Sequence, residues 1–275
     1  MSALIRKQPP PEDAHPPVGF LARLRHRMAA HVPVAPFNAT SDTPAVSFTF
    51  DDVPVSAATE GARLMEEAGA RATYYVAGGL MGMQDHHWQV MDADGVVDLH
   101  ARGHEIGCHS HSHKRADEIG AAEFAADLER NHALLRAVEP SLPLENFAYP
   151  YGYANLAWKR CLKGRFRSSR SIWPRINHGP TDAHYLYSLP LVNREINEGQ
   201  IDRAFEETAR RKGWLIFYSH DVAVGPSDYG CSPRLLRHAL KAALSFGVRV
   251  ETVKAAMARI GAQASAAWLV GIPLI

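Results

Sequence analysis

Residues 47–54 read SFTFDDVP and combine an apolar run with two adjacent carboxylates and a proline. The run from Val46 to Phe50 predicts a buried β-strand. Pro54 stops that strand, so Asp51 and Asp52 are expected at its carboxyl end. Adjacent carboxylates diverge, so one can bind a metal ion while the other, kept ionised by nearby positive charge, accepts a proton from water. The alternative interpretation is a turn that carries two solvated acids.

On both sides of this stretch, short β-rich runs alternate with longer segments of helical period, a pattern typical of α/β folds. The pattern indicates helices over residues 121–137 and 233–245. It predicts strands at Val46–Phe50, Ala72–Val76, Glu105–Gly107, Asn146–Tyr149, Phe166–Ser169, Tyr185–Leu189, Trp214–Tyr218 and Arg249–Glu251. Seven or eight βα units in about 215 residues favour a (β/α) barrel. A flavodoxin-like open sheet is the alternative.

Composition describes a globular chain with one large core, because 46% of its 275 residues are hydrophobic and 21% are charged. The 30 basic and 29 acidic residues nearly balance, and no long basic run is present, so nucleic acid is not an expected partner. Three widely spaced cysteines fit neither a disulfide framework nor a zinc knuckle. Neither end has an apolar stretch of signal-peptide or transmembrane length, which predicts a cytoplasmic protein.

The ends of the chain differ from its middle. Residues 1–40 hold seven of the 18 prolines and are interpreted as an N-terminal arm. Within the arm, the basic stretch 20–28 is compatible with an amphipathic helix on the domain, or with an element on a membrane surface. Residues 41–262 are expected to form the catalytic domain, and residues 263–275 an apolar tail.

A second polar cluster, residues 104–113, reads HEIGCHSHSH. His109 and His113 are four residues apart and would lie on one side of a helical turn, where both imidazoles can reach one cation. An extended segment would instead place His109, His111 and His113 on one face, which gives a competing three-histidine site. The glycine-bounded strand before this segment and the helical period after it favour the helical turn.

The third cluster ends the strongly apolar run 214–221, WLIFYSHD. Burial and the neighbouring acid can bring the pKa of His220 toward neutrality, so His220 is a candidate general acid. A capped strand end is the structural alternative. All of these clusters directly follow predicted strands, which in parallel α/β folds places them on the functional rim.

Taken in order, the clusters resemble the polysaccharide deacetylase family, also called the NodB homology domain or carbohydrate esterase family four, from about Val46 to Ile260. The usual first motif, Thr-Phe-Asp-Asp-Gly, is present as TFDD at residues 49–52, with Val53 in place of glycine. The second motif, His-Ser/Thr-x-x-His, is present at residues 109–113. The resemblance implies a distorted (β/α) barrel and an N-acetylated carbohydrate substrate.

The resemblance also implies roles for individual residues. Asp51 would be the general base and His220 the general acid, while Asp52, His109 and His113 would bind one divalent metal ion. Zinc is the favoured ion for such a donor set, although cobalt, nickel or iron would also fit. The expected reaction is hydrolysis of an N-acetyl group from an amino sugar. Alternatives are an acetyl ester or a small cyclic amide as substrate, as in allantoinase-like relatives, or a non-catalytic carbohydrate-binding homologue.

Two motifs depart from the family pattern. The third, commonly Arg-x-Pro-Tyr/Phe-Gly, reads AYPYG at residues 148–152 and lacks the arginine, although the Tyr151 backbone N–H can still serve as an oxyanion donor. The fourth is not recognisable in residues 166–173, FRSSRSIW. This segment places Arg170 near the expected site, so we expect Arg170 to replace the missing cation. Asp182 or Asp221 is expected to orient His220.

Overall fold

The computed structural model describes residues 19–269. Its eight α-helices within that range are α1 Phe20–His31, α2 Ala62–Glu67, α3 Ala93–Ala101, α4 Ala121–Val138, α5 Leu156–Leu162, α6 Glu198–Arg211, α7 Pro233–Ser245 and α8 Val253–Leu269. Its ten strands are β1 Pro36–Asn38, β2 Ala45–Asp51, β3 Thr73–Val76, β4 Glu105–Cys108, β5 Asn146–Ala148, β6 Ser168–Arg170, β7 Pro180–Asp182, β8 Leu189–Pro190, β9 Trp214–Ser219 and β10 Arg249–Val250.

Seven parallel strands form a curled sheet in the order β6-β5-β4-β3-β2-β9-β8, and β10 pairs with the start of β2. Leu186 bridges to Arg170 of β6, which is the strand at one edge of the sheet. Leu189, three residues later, belongs to β8 at the other edge and pairs with Phe217 of β9. Residues 186–189 therefore contact both edges. The strand order lacks the reversal that defines a doubly wound open sheet. The predicted distorted (β/α) barrel is therefore confirmed, and the open-sheet alternative is wrong.

Strand β2, which pairs with β3, β9 and β10, explains why the sequence folds in this way. All seven of its residues are buried, because helices or neighbouring strands cover both faces. Phe48 stacks on Phe217 of β9 and Phe50 stacks on Tyr74 of β3, so aromatic contacts join β2 to both neighbours. The polar residues that follow β2 consequently emerge at the carboxyl-end rim, between the segments that follow β3 and β9.

The predicted strand Tyr185–Leu189 was wrong. Tyr185 ends a 3₁₀ turn over residues 183–185, and β8 begins only at Leu189. The Asp182 carboxylate caps this turn by accepting a hydrogen bond from the His184 N–H. The small antiparallel sheet of β1 and β7 was not predicted. Both of its strands begin with proline, which marks edge strands and weakens their sequence signal.

The N-terminal segment is packed against the domain from α1 onward. Lys159 of α5 is fully buried, and its Nζ lies 2.6 Å from the Ala29 carbonyl, 2.7 Å from the Val32 carbonyl and 2.5 Å from the Asp182 carboxylate. Residues 1–18 of the predicted arm and residues 270–275 of the predicted tail lie outside the described residues, while α8 runs through the predicted boundary at residue 262. Within residues 19–269, no helix is long and apolar enough to cross a membrane.

Candidate metal centre and active site

Asp51 and Asp52 diverge at the end of β2, as their adjacency predicted. Asp51 is the last residue of the strand, and the next two residues, Asp52 and Val53, both have positive φ angles of 56° and 49°. Left-handed backbone is costly for a β-branched residue such as Val53, which stands where the family usually has glycine. This tight turn holds the Asp52 carboxylate close to the loop that follows β4.

His109 and His113 approach Asp52 from that loop. The Nε2 atoms of His109 and His113 lie 3.7 Å and 3.2 Å from Asp52 Oδ1, and their ring centroids are 4.9 Å apart. The loop is irregular, with left-handed φ angles of 63° at Ser110 and 51° at His113, so the predicted helical turn is wrong. The Asp127 carboxylate fixes the loop by accepting hydrogen bonds from two of its backbone N–H groups.

His111 lies outside this group of donors. Three side chains in the described part of the chain place ligand atoms within 4.8 Å of one another, and they are Asp52, His109 and His113. The backbone of His111 instead packs against Gly79, where an added Cβ would lie 2.6 Å from the His111 carbonyl oxygen. The competing three-histidine site is therefore not formed.

The donor set suits a divalent cation. Because the Ala148 carbonyl can only accept, His109 Nδ1 donates to it at 2.8 Å, which leaves the Nε2 lone pair facing Asp52. Burial lowers the pKa of His109 to about 4, so its ring is neutral and available as a ligand. Burial raises the pKa of Asp52, and its buried Oδ1 has no hydrogen-bond partner. A cation held by these three residues would satisfy that oxygen and stabilise the ionised carboxylate.

Arg170 contacts Asp51, as expected from the missing arginine of the third motif. Its Nη2 lies 2.7 Å and 2.5 Å from the two carboxylate oxygens, and its guanidinium lies between the rings of Tyr75 and Tyr218. Burial raises the pKa of Asp51, but the charge and hydrogen bond of Arg170, together with the charges of His109 and His220, more than offset this effect and the net pKa is lowered. Asp51 is thus held ionised beside the candidate metal centre.

The position of Arg170 on β6 explains how it can replace the arginine missing from the third motif. The missing arginine would stand at position 148 on β5, and Ala148 is the register partner of Arg170 on β6. Side chains of register partners in a parallel sheet point to the same face, roughly 4.8 Å apart. The positive charge is therefore supplied at the same level of the barrel, one strand further along.

Tyr151 contacts the donor set at His113. Its φ angle is 55°, and its hydroxyl lies 3.1 Å from His113 Nδ1. The following Gly152 also has a positive φ angle of 69° and packs against Ile172, where an added Cβ would lie 2.1 Å from a side-chain carbon. This close approach explains the glycine of the third motif and fixes the turn that presents the Tyr151 backbone to the site.

His220 completes the group from the end of β9. Its Nε2 lies 4.0 Å from Asp52 Oδ2, its side chain is 18% exposed, and its Nδ1 lies 3.3 Å from the Tyr229 carbonyl. Neither carboxylate expected to orient this ring does so. The Asp182 carboxylate binds Lys159 and the backbone N–H groups of residues 34 and 35, while that of Asp221 binds Ser227. A backbone carbonyl takes their place.

The aromatic wall around His220 was missed in the sequence. Trp88 stacks on His220 with ring centroids 5.3 Å apart and planes inclined by 24°, and Tyr229 meets both rings edge to face. Trp88 also borders a cavity of about 420 Å³ that reaches His86 and Asp221. Both aromatic residues lie in loops far apart in sequence, so no local pattern pointed to them.

The fold and the donor set together define an α/β barrel with a candidate mononuclear metal centre at its carboxyl end. Residues 38–163 match the family model for polysaccharide deacetylase. This match, with the shared fold, confirms the resemblance to that family inferred from the motifs over residues 38–163. Arg170 and His220 lie beyond the matched segment.

Solved structures with the same fold span most of the chain at low sequence identity. The chitin deacetylase of the fungal pathogen Colletotrichum lindemuthianum is 17% identical, with 82% of this chain and 92% of that one covered and a TM-score of 0.59. The peptidoglycan deacetylase PdaC of Bacillus subtilis is 16% identical, with 83% of this chain and 96% of that one covered and a TM-score of 0.54. The family 4 carbohydrate esterase of Streptomyces lividans in complex with acetate is 15% identical, with 75% of this chain and 91% of that one covered and a TM-score of 0.54. No curated protein sequence matches the chain.

Proposed function

We propose that this protein is a metal-dependent hydrolase that removes N-acetyl groups from an amino-sugar oligo- or polysaccharide. The observation that carries the proposal is the ionised Asp51–Arg170 pair next to the Asp52, His109 and His113 donor set. A lone metal-binding triad serves many purposes, but a buried carboxylate kept ionised beside it is suited to remove a proton from water. The cytoplasmic location and the domain boundaries expected from the sequence stay predictions.

Each residue of the group has a distinct task. Asp52, His109 and His113 would hold the cation, with zinc favoured over cobalt, nickel or iron. The bound ion would polarise the acetyl carbonyl and lower the pKa of a water molecule. Asp51 accepts the proton of that water as its oxygen attacks the carbonyl carbon, and the Tyr151 backbone N–H stabilises the developing oxyanion.

The second half of the reaction belongs to His220. An amide nitrogen leaves readily only if it is protonated as the C–N bond breaks. His220 is placed to supply that proton, since its Nε2 lies 4.0 Å from Asp52 Oδ2. Proton donation by His220 completes the addition of water across the amide, and the products are acetate and a free amine. Trp88 and the Tyr229 carbonyl keep the ring in position.

The nature of the relatives supports an amino-sugar substrate. The structurally similar proteins include a chitin deacetylase and a peptidoglycan deacetylase. Acetate release from chitooligosaccharides, peptidoglycan fragments and acetyl xylan, each with added zinc, cobalt or nickel, tests the proposal. Release from an N-acetylated sugar in preference to acetyl xylan is expected. Release from acetyl xylan alone would assign the site to esters, and no release from any of them would refute the deacetylase.

His220→Ala provides a sharper test of the mechanism. The variant should lose roughly 10² to 10⁴ in kcat on the N-acetyl substrate but much less on an activated aryl acetate, whose leaving group departs without a proton. His238→Ala is the matched control, because this histidine contacts Asp202 on a distant helix pair. Equal losses on both substrates would show that His220 serves the attacking water or the oxyanion.

A further inference from the structure

Helix α1 packs against the domain with its small side chains and exposes its large apolar ones. Ala29 is fully buried, and Ala22, His26 and Ala30 are half-buried. Four bulky apolar side chains of α1 are solvent-exposed: Phe20 at 73%, Leu21 at 65%, Met28 at 46% and Leu24 at 45%. A surface helix normally buries such residues, so this orientation is typical of a face that another surface covers.

The exposed residues form a stripe between basic side chains. Successive helical residues are about 100° apart, so Phe20, Leu24 and Met28 lie in one row. Arg23 and Arg27 border this row on one side, and Arg25 borders it on the other. The helix contains no acidic residue. Basic residues that flank an apolar stripe on both sides characterise helices that lie in a lipid–water interface, where arginine stems stay in contact with the acyl region and the guanidinium groups reach the headgroups.

We propose that α1 docks the protein on an anionic lipid surface. The charge of the helix favours this occupant over a second copy of the chain, because a symmetric contact would place the three arginines of one copy against those of the other. Anionic headgroups pair with the arginines while the apolar stripe enters the acyl boundary. The inference rests on α1 alone and does not depend on the proposed deacetylase activity.

Because α1 is packed against the domain, docking through α1 would also orient the whole barrel relative to the membrane. Lys159 bonds to the last turn of the helix, and the His26 ring lies 4.8 Å from Tyr153 and 5.6 Å from Trp173. Tyr153 and Trp173 follow β5 and β6, whose carboxyl ends carry Tyr151 and Arg170. A membrane bound to α1 would therefore lie beside the rim at which the site opens.

Vesicle co-sedimentation of the full-length protein tests the proposal. We expect binding to phosphatidylcholine vesicles that contain phosphatidylserine, little binding to phosphatidylcholine alone, and weaker binding at high salt. Arg23→Gln/Arg25→Gln/Arg27→Gln should weaken the binding by roughly 10²-fold, and Leu24→Ser/Met28→Ser by at least about tenfold. Leu244→Ser is the matched control, because Leu244 is an 85% exposed leucine on another helix, and it should bind like the wild type.

Several results would overturn the proposal. One is the absence of binding to anionic vesicles by the wild type, and another is binding that both α1 variants retain. A dimer seen by light scattering that Leu24→Ser/Met28→Ser dissociates, without vesicle binding, would assign the stripe to a second copy. Binding to polyglutamate as tight as to vesicles, unchanged in Leu24→Ser/Met28→Ser, would assign the arginines to an acidic protein partner.

Discussion

The protein buries two ion pairs of similar composition, one in the candidate active site and one at the base of α1, and the two pairs differ in how fully their polar atoms are hydrogen-bonded. The shortest contact in each pair is 2.5 Å, and both cations, Arg170 and Lys159, are fully buried. At the base of α1, Lys159 also bonds two carbonyls, and Asp182 accepts hydrogen bonds from three backbone N–H groups. In the site, Arg170 Nε and Nη1 have no hydrogen-bond partner.

This difference separates a structural pair from a functional one. A buried polar atom without a partner costs stability, so it persists where something else compensates for that cost. The Arg170 guanidinium packs on the ring of Tyr75, and a bound cation would satisfy Asp52 Oδ1. Both groups lie in the candidate active site. The saturated pair at α1 has no capacity left for chemistry, and its effect is to hold the helix in place.

The metal ligands should give the largest effect. If unpartnered Asp52 Oδ1 is a ligand, the purified protein carries about one divalent ion per chain, and Asp52→Ala, His109→Ala and His113→Ala each lose the ion and the activity together. His111→Ala is the control and should keep both. Elemental analysis with activity assays provides the measurement. An empty His111→Ala beside a loaded His113→Ala would show that the ligands are wrongly assigned.

Lys159→Met should destabilise the protein without affecting its chemistry. The substitution leaves the Asp182 carboxylate and two carbonyls buried without their partner, which should lower the free energy of unfolding by about 3 to 5 kcal/mol. Turnover of the folded variant should stay within about twofold of the wild type, because Lys159 is remote from the donor set. Urea denaturation and steady-state kinetics measure the two quantities. A large loss of turnover at unchanged stability would reverse the comparison.

Arg170→Ala tests the other pair. Without the guanidinium Asp51 is harder to keep ionised, so turnover should fall by at least about tenfold while the metal content remains unchanged. Arg259→Ala is a suitable control, because this arginine binds Glu251 away from the site and should affect stability alone. Unchanged turnover in Arg170→Ala would mean that the ion pair is structural like the first.

The smallest expected effect is a difference in acid stability. Burial raises the pKa of Asp182, but Lys159 and the backbone donors more than offset it, so the net pKa lies below the ordinary value. A lowered carboxyl pKa contributes stability that is present above the unfolded-state value near 3.9 and is lost as the pH falls through the folded-state value. Unfolding measured below about pH 4 should therefore show a shallower loss in Asp182→Asn than in the wild type. Parallel curves would contradict this role.

The sequence predicted what is local and missed what depends on loops. Most strand positions, although not Tyr185–Leu189, and the helix over residues 233–245 followed from periodicity. The cluster of Asp52, His109 and His113 followed from the family resemblance of their motifs. The helical turn was wrong, because left-handed residues and Asp127 shape that loop. Trp88 was missed because its contact with His220 joins loops more than a hundred residues apart. Such contacts have no periodic signal.

The pairing of Ala148 with Arg170 has a consequence for recognising such proteins. A linear pattern that requires arginine two residues before Pro150 rejects this chain, although its guanidinium lies a single strand spacing away and on the same face. A structural pattern that also accepts an arginine at the register partner on the neighbouring strand would include this chain. The proposed chemistry requires a positive charge at a given position beside Asp51, and a side chain from either of two neighbouring strands can supply it.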